Sequence, residues 1–91
     1  MIFIWDESKN KSNKKKHGVS FEEAETVFLD ESARLIADPD HSGEEERFVL
    51  LGMSSKLNVL VVVHVYKDDD EIIRIISARI ATKSEQKKYK R

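Results

Sequence analysis

Leu57-Asn58-Val59-Leu60-Val61-Val62-Val63-His64-Val65-Tyr66 and, past a short acidic break, Ile72-Ile73-Arg74-Ile75-Ile76-Ser77-Ala78-Arg79-Ile80 decide how this chain folds. The first run has a period of two. Leu57, Val59, Val61, Val63 and Val65 fall on one face of a strand, with Asn58, Leu60, Val62, His64 and Tyr66 on the other. Apolar groups on both faces place this strand inside a sheet, largely covered from both sides. Lys67-Asp68-Asp69-Asp70 turns the chain, and residues 71–80 return as a second β-branched strand.

Upstream, residues 33–37 and 47–53 carry the same strand signals. The turn-rich Pro39-Asp40-His41-Ser42-Gly43 separates them, and Gly52 with Ser54-Ser55-Lys56 breaks the second. Further back the period becomes helical. Ser20-Phe21-Glu22-Glu23 reads as a capping box, Ser20 accepting from the Glu23 amide while the Glu23 side chain reaches back. Phe21, Ala24, Val27 and Phe28 then give an apolar face that packs on the sheet. A helix over 7–17 is capped by Asp6, carries Glu7 in its first turn and Lys14, Lys15, Lys16 and His17 in its last, and stops at Gly18. It has no apolar stripe, so neighbours or function must hold it in place. Residues 1–5 form a short apolar strand, and Thr82 caps a basic helix reaching Arg91. The order β-α-α-β-β-β-β-α describes an α+β fold: an antiparallel β-sheet meander with two amino-terminal helices and a carboxy-terminal helix.

At 91 residues the chain makes a single domain, residues 1–91, and at this size roughly two thirds of the unfolded chain's surface is buried. Without cysteine, disulfides, thiolate catalysis and cysteine-ligated zinc are excluded. No apolar run approaches the roughly 20 residues of a membrane span, and the first residues lack a signal-peptide pattern. A soluble cytoplasmic protein with no membrane contact is expected. The formal net charge is −1, but the signs are segregated: residues 1–20 and 82–91 are basic and 21–50 strongly acidic. Basic ends around an acidic middle suit an anionic ligand at one surface.

Gly18, Gly43 and Gly52 are isolated, so there is no nucleotide-binding loop, and no cofactor is expected. His17, His41 and His64 fall in different elements with no close pair, so no metal site is expected either. Ser77, His17 and Asp38 can be drawn as a triad, but nothing sets the serine in a nucleophile turn. The cations stand out. Lys9, Asn10, Asn13, Lys16 and His17 share about a third of the helix circumference, either as a solvated face or as a functional one. Arg47 opens one strand, and Arg74 and Arg79 interrupt another. In a regular strand Arg74 faces away from Ser77 and Arg79, so both arginines line one site only if the strand bends between them. Each arginine either pairs with Glu45, Glu46 or Glu85, or recognises phosphate with its planar fork. Arginines beside a Lys/His-rich helix end suit metal-free RNA cleavage, which needs a base for the 2′-hydroxyl, cations for the phosphorane and an acid for the leaving oxygen.

These residues also carry a family resemblance. Trp5-Asp6, Lys9, Asn13 and Lys16-His17-Gly18-Val19-Ser20-Phe21-Glu22-Glu23-Ala24 resemble the amino-terminal signature of the BrnT toxins. The match runs on through Phe28, Asp30, Asp38, Glu45-Glu46-Arg47-Phe48, Gly52-Met53-Ser54 and Leu60-Val61-Val62-Val63. It ends with Arg74-Ile75-Ile76-Ser77-Ala78-Arg79-Ile80-Ala81, Glu85 and Tyr89. The resemblance implies a RelE-like fold and a metal-independent endoribonuclease toxin of a type II toxin–antitoxin system, one that arrests growth. It implies an RNA substrate and neutralisation by a ribbon-helix-helix antitoxin, similar to BrnA, through which alone the toxin meets operator DNA. On that reading Lys16, His17, Arg47 and Arg79 are the expected catalytic residues: His17 as acid or base, Lys16 and Arg79 as phosphate clamps, Arg47 as clamp or organiser. Glu46 is the other candidate base, and Lys9, Asn13 and Arg74 are expected RNA contacts. Trp5 reads as core. Ile80 departs from the family pattern, in which that position is often basic. The alternative function is therefore a catalytically inactive homologue that binds its antitoxin as a co-repressor.

Overall fold

A computed structural model describes residues 1–38 and 45–90. The turn over 39–43, with His41, and Arg91 lie outside the described residues. Strands β1 (Ile2–Ile4), β2 (Arg34–Ala37), β3 (Phe48–Met53), β4 (Val59–Lys67) and β5 (Ile72–Ile80) form one sheet in the order β1-β5-β4-β3-β2. β2 to β5 make an antiparallel meander with β4 at its centre. The sheet is nevertheless mixed, because β1 runs parallel to β5, with Ile2, Phe3 and Ile4 against Ile72, Ile73 and Arg74. The meander fills the inner side of β5, so the amino-terminal run takes its outer edge.

Helices α1 (Glu7–His17) and α2 (Phe21–Thr26), the latter continued by a 3₁₀ turn over Val27–Leu29, lie on one face of the sheet. Val19, Phe21, Ala24 and Val27 have no exposed surface there and pack on Leu50, Leu60, Val62, Ile75 and Ala78. The Asp6 carboxylate caps α1 by accepting from the Ser8 amide at 2.9 Å, and Gly18 ends it in the left-handed region at φ 72°. Ser20 Oγ accepts from the Glu23 amide at 3.0 Å, but only half of the expected capping box forms. The Glu23 carboxylate turns inward instead and accepts from Ser54 Oγ at 2.6 Å and Asn58 Nδ2 at 2.9 Å. Ser54 is buried, and its hydroxyl has to find an acceptor inside the protein.

Gly52 does not break β3 but pairs with Leu60 inside it. A Cβ at this position would lie 2.8 Å from both Ala33 Cβ and Val27 Cγ1, closer than packed carbons approach. Gly52→Ala should cost about 1–3 kcal/mol through overpacking, read as a lowered urea midpoint with an unchanged slope. Leu57, expected within the strand, sits in the preceding turn at φ 65° with its side chain exposed.

β5 carries a bulge. Val63 pairs with Ser77 while His64 pairs with Ile75, leaving Ile76 as the extra residue. The bulge shifts the phase of the strand by one residue. Arg79, opposite Val61, and Arg74, opposite Val65, therefore share a face, which is the bend the sequence required of them. This is the sheet face away from α1 and α2. Part of it is covered where Val59, Val61 and Ala81 pack with Leu51, Met53 and Tyr89. Tyr89 closes helix α3 (Lys83–Tyr89) and donates to Asp30 Oδ2 at 2.6 Å.

On the helix-covered face, His64 is fully buried among the rings of Phe28, Phe48 and Tyr66. Its Nδ1 lies 3.2 Å from the Val62 carbonyl oxygen, and Nε2 has no partner among the described residues. Burial pushes the imidazole pKa down. Above about pH 6.5 the ring is neutral in both folded and unfolded chains and adds no pH dependence. Below it, the unfolded chain takes up a proton that the folded chain refuses, so stability falls with pH until the lower folded pKa is reached. Thermal midpoints should drop between pH 7.5 and 5.5. His64→Phe should flatten that slope.

Candidate nucleic-acid interface

The interface begins with a helix made almost entirely of polar residues. α1 docks through two buried asparagines rather than an apolar stripe. Asn10 Oδ1 accepts from the Phe21 amide at 2.8 Å, and its Nδ2 donates to Glu7 Oε1 at 3.1 Å and Glu22 Oε1 at 2.9 Å. Asn13 Nδ2 donates to the carbonyls of Val19 at 2.9 Å and Ala78 at 2.8 Å, while its Oδ1 accepts from the Ala78 amide at 3.2 Å. The face read as either solvated or functional is thus partly the docking face. Both amide protons of Asn13 are committed to backbone, so the expected RNA contact has no donor left with which to grip RNA.

Lys9, Ser12, Asn13 and Lys16 follow the i, i+3, i+4, i+7 spacing of one helix face. With His17, Ile76 and Ser77 they line an open groove of about 210 Å³ between the end of α1 and the β5 bulge. Lys16 and His17 are exposed, and no carboxylate among the described residues pairs with either. The groove therefore sets an imidazole, two ammonium groups and two hydroxyls beside one another, next to the strand that carries Arg79. Ser12 was not anticipated, although its helical spacing from Lys9 and Lys16 could have revealed it. Ser77 and His17 do meet here. Asp38 follows β2 at the far edge of the sheet, so no triad assembles.

Arg79 lies two residues beyond Ser77 on the same face, with its fork already engaged. Its Nη1 and Nη2 donate to Glu85 Oε1 and Oε2 at 2.7 and 2.9 Å. The Glu85 carboxylate also completes a capping box on α3 by accepting from the Thr82 amide at 2.9 Å. The Arg79 hydrogen bonds hold the Glu85 pKa down at about 2, so the pair is ionised throughout the neutral range. A guanidinium has five N–H donors, so this bidentate contact orients Arg79 and leaves donors for an anion. Arg74 sits about 13 Å further along the face. It is tied to Glu45 at 2.6 Å, with Lys67 on the same carboxylate at 3.4 Å. Its Nε is buried without an acceptor among the described residues.

Four expected site residues, Arg79, Arg74, Arg47 and Glu46, do not line the groove. Arg47 precedes β3, and its carbonyl accepts from the Asp38 amide. Extending the ladder by one residue sets it opposite Val65, on the same face as Arg74 but two strands from β5. Glu46 lines a separate cavity of about 650 Å³ with Glu45, Phe48, Tyr66, Asp70 and Leu35. Trp5 is half-buried and packs against the core, edge-on to Phe21 with ring centroids 6.0 Å apart. Among the described residues no group of three histidines or carboxylates is arranged to hold a metal, and no helix is long and apolar enough to cross a membrane.

The site is thus a cationic helix end docked on a bulged strand edge of an α+β fold. The chain belongs to the BrnT family, the ribonuclease toxins of type II toxin–antitoxin systems, whose family model matches residues 5–85. The crystal structure of the Brucella abortus ribonuclease toxin BrnT, solved at 1.1 Å, is similar to it with a TM-score of 0.67 and 27% sequence identity, covering 91% of this chain and 100% of that one. No curated protein matches the chain. Membership of such a system implies an RNA substrate and an antitoxin partner.

Proposed function

We propose that this protein is a metal-independent endoribonuclease toxin, with a RelE-like fold, that arrests growth by cleaving cytoplasmic RNA. The observation that carries the reading is the groove in which Lys16, His17 and Ser77 meet, with Arg79 two residues beyond Ser77 on the same strand. In the proposed reaction a ribose 2′-oxygen attacks the adjacent phosphorus, the bond to the 5′-oxygen breaks, and a 2′,3′-cyclic phosphate remains. The 2′-hydroxyl proton passes to a base and the departing 5′-oxygen receives one from an acid. His17 takes one of these two roles, since an imidazole near neutrality can either accept or donate. Lys16 and the uncommitted donors of Arg79 stabilise charge on the phosphorane, Lys9 holds the RNA backbone in the groove, and Arg74 and Arg47 contact RNA further along the open face. A ribbon-helix-helix antitoxin neutralises the toxin and is its only link to operator DNA.

The test is to incubate antitoxin-free protein with end-labelled RNA in EDTA. Fragments ending in 2′,3′-cyclic phosphate, absent with Arg79→Ala, are the expected result. Activity lost in EDTA and restored by a divalent cation would overturn the metal-free mechanism. Intact RNA from a folded sample would instead favour the catalytically inactive, antitoxin-binding co-repressor.

A further inference from the structure

We propose that Asn13 is a positioning residue for the ribonuclease reaction, setting the register of the α1 cations against the β5 bulge; this rests on the ribonuclease reading above. β1 ends at Ile4, opposite Arg74, so among the described residues no strand lies on the outer side of β5 from Ile75 onward. Ala78 is buried there, and its amide and carbonyl turn outward, where leaving them without partners would be costly. Asn13 supplies both partners from one carboxamide, accepting from the Ala78 amide and donating to its carbonyl. These are the two bonds that a residue on a neighbouring antiparallel strand would make. A side chain thus stands in for the missing strand and fixes one point of α1 to one point of β5.

That point lies between the groups the chemistry needs. Lys16 and His17 follow Asn13 by one helical turn, and Ser77 and Arg79 flank Ala78 on the strand. The third bond, to the Val19 carbonyl, ties the same amide to the segment leaving α1. A slip of α1 along β5 would therefore move Lys16 and His17 relative to Ser77 and Arg79. Asn10 provides an internal control, because its bonds go to the start of α2 and to Glu7 and leave β5 untouched.

The test compares Asn13→Ala and Asn10→Ala with the unaltered chain on a short fluorogenic RNA, at a temperature where circular dichroism shows all three folded. Asn13→Ala should lower kcat about 100-fold with KM changed by less than about threefold, the cost of misplacing groups that remain present. Asn10→Ala should keep kcat and KM within about threefold of the unaltered chain, because its contacts do not reach β5 and leave the register with Ala78 to Asn13. Nitrogen-15 spectra give a readout independent of turnover: the Ser77 amide and the His17 ring should shift in Asn13→Ala and hold still in Asn10→Ala. Where Asn13→Ala does not fold, Asn13→Asp, which keeps the acceptor and loses both donors, takes its place. Equal kcat losses in the two variants, or unmoved Ser77 and His17 resonances in the Asn13 variant, overturn the proposal. RNA left intact by the unaltered chain overturns the ribonuclease reading instead, and the resonances then decide whether Asn13 sets the register.

Discussion

Arg79→Ala should lose about 100- to 1,000-fold in RNA cleavage, the usual cost of deleting one preorganised donor at a developing charge. Its thermal midpoint should stay close to that of the unaltered chain. The ion pair it forms with Glu85 is partly exposed on both sides, and such pairs contribute at most about 1 kcal/mol. Removing the guanidinium leaves Glu85 bonded to the Thr82 amide, so the α3 cap survives. Arg79→Lys should not restore activity, because an ammonium group cannot hold Glu85 in a bidentate contact and present further donors in a fixed plane. Glu85 is held well below the ordinary carboxylate range, so the pair contributes fully above about pH 4.5 and is lost only as pH falls toward 2. An assay between pH 6 and 8 therefore leaves the pair intact. A midpoint drop large enough to account for the lost cleavage would make Arg79 a brace for α3 rather than a phosphate clamp.

Phe21→Ala should be the most destabilising of these substitutions, at about 3–5 kcal/mol. Phe21 has no exposed surface and is the largest fully buried side chain among the described residues. It opens α2, meets the edge of Trp5, and gives its amide proton to Asn10 Oδ1. Truncating it empties the junction of α1, α2 and the sheet, where backbone hydrogen bonds limit how far the neighbours can collapse. Against a typical total of about 5–15 kcal/mol, the loss leaves a marginal fold. Urea denaturation should show a much lower midpoint, whereas a cost below about 1 kcal/mol would mean that the helical layer is not part of the core.

Much of the fold is legible because local physics agrees with the final structure. The two-sided apolar pattern of β4 reflects its central place, and Asp6, Ser20 and Thr82 all cap the helices they precede. The bulge was hidden because Ile75 and Ile76 are both apolar, so no polar residue marks where the phase slips. Asn10 and Asn13 read as surface residues because polarity says nothing of which backbone groups a distant strand will leave without partners. The arginine pairings show the same division. Glu45 and Glu85 were both among the candidate partners, but only the register assigns Arg74 to one and Arg79 to the other. Helical spacing brings Lys9, Asn13, Lys16 and His17 together, whereas Ser77 joins them from β5 through tertiary packing that no local spacing shows.

Trp5 is the chain's single tryptophan, and it stands where β1 hands over to α1, with its indole N–H donating to Glu7 Oε2 at 3.1 Å. Tryptophan emission from this protein therefore comes from one place, the seam between the first strand and the helices. A red shift on titration with denaturant, or with a partner, reports that seam opening to water. Far-ultraviolet ellipticity follows the backbone as a whole, so the two signals compared on one sample show whether the helices lift away while the sheet still stands.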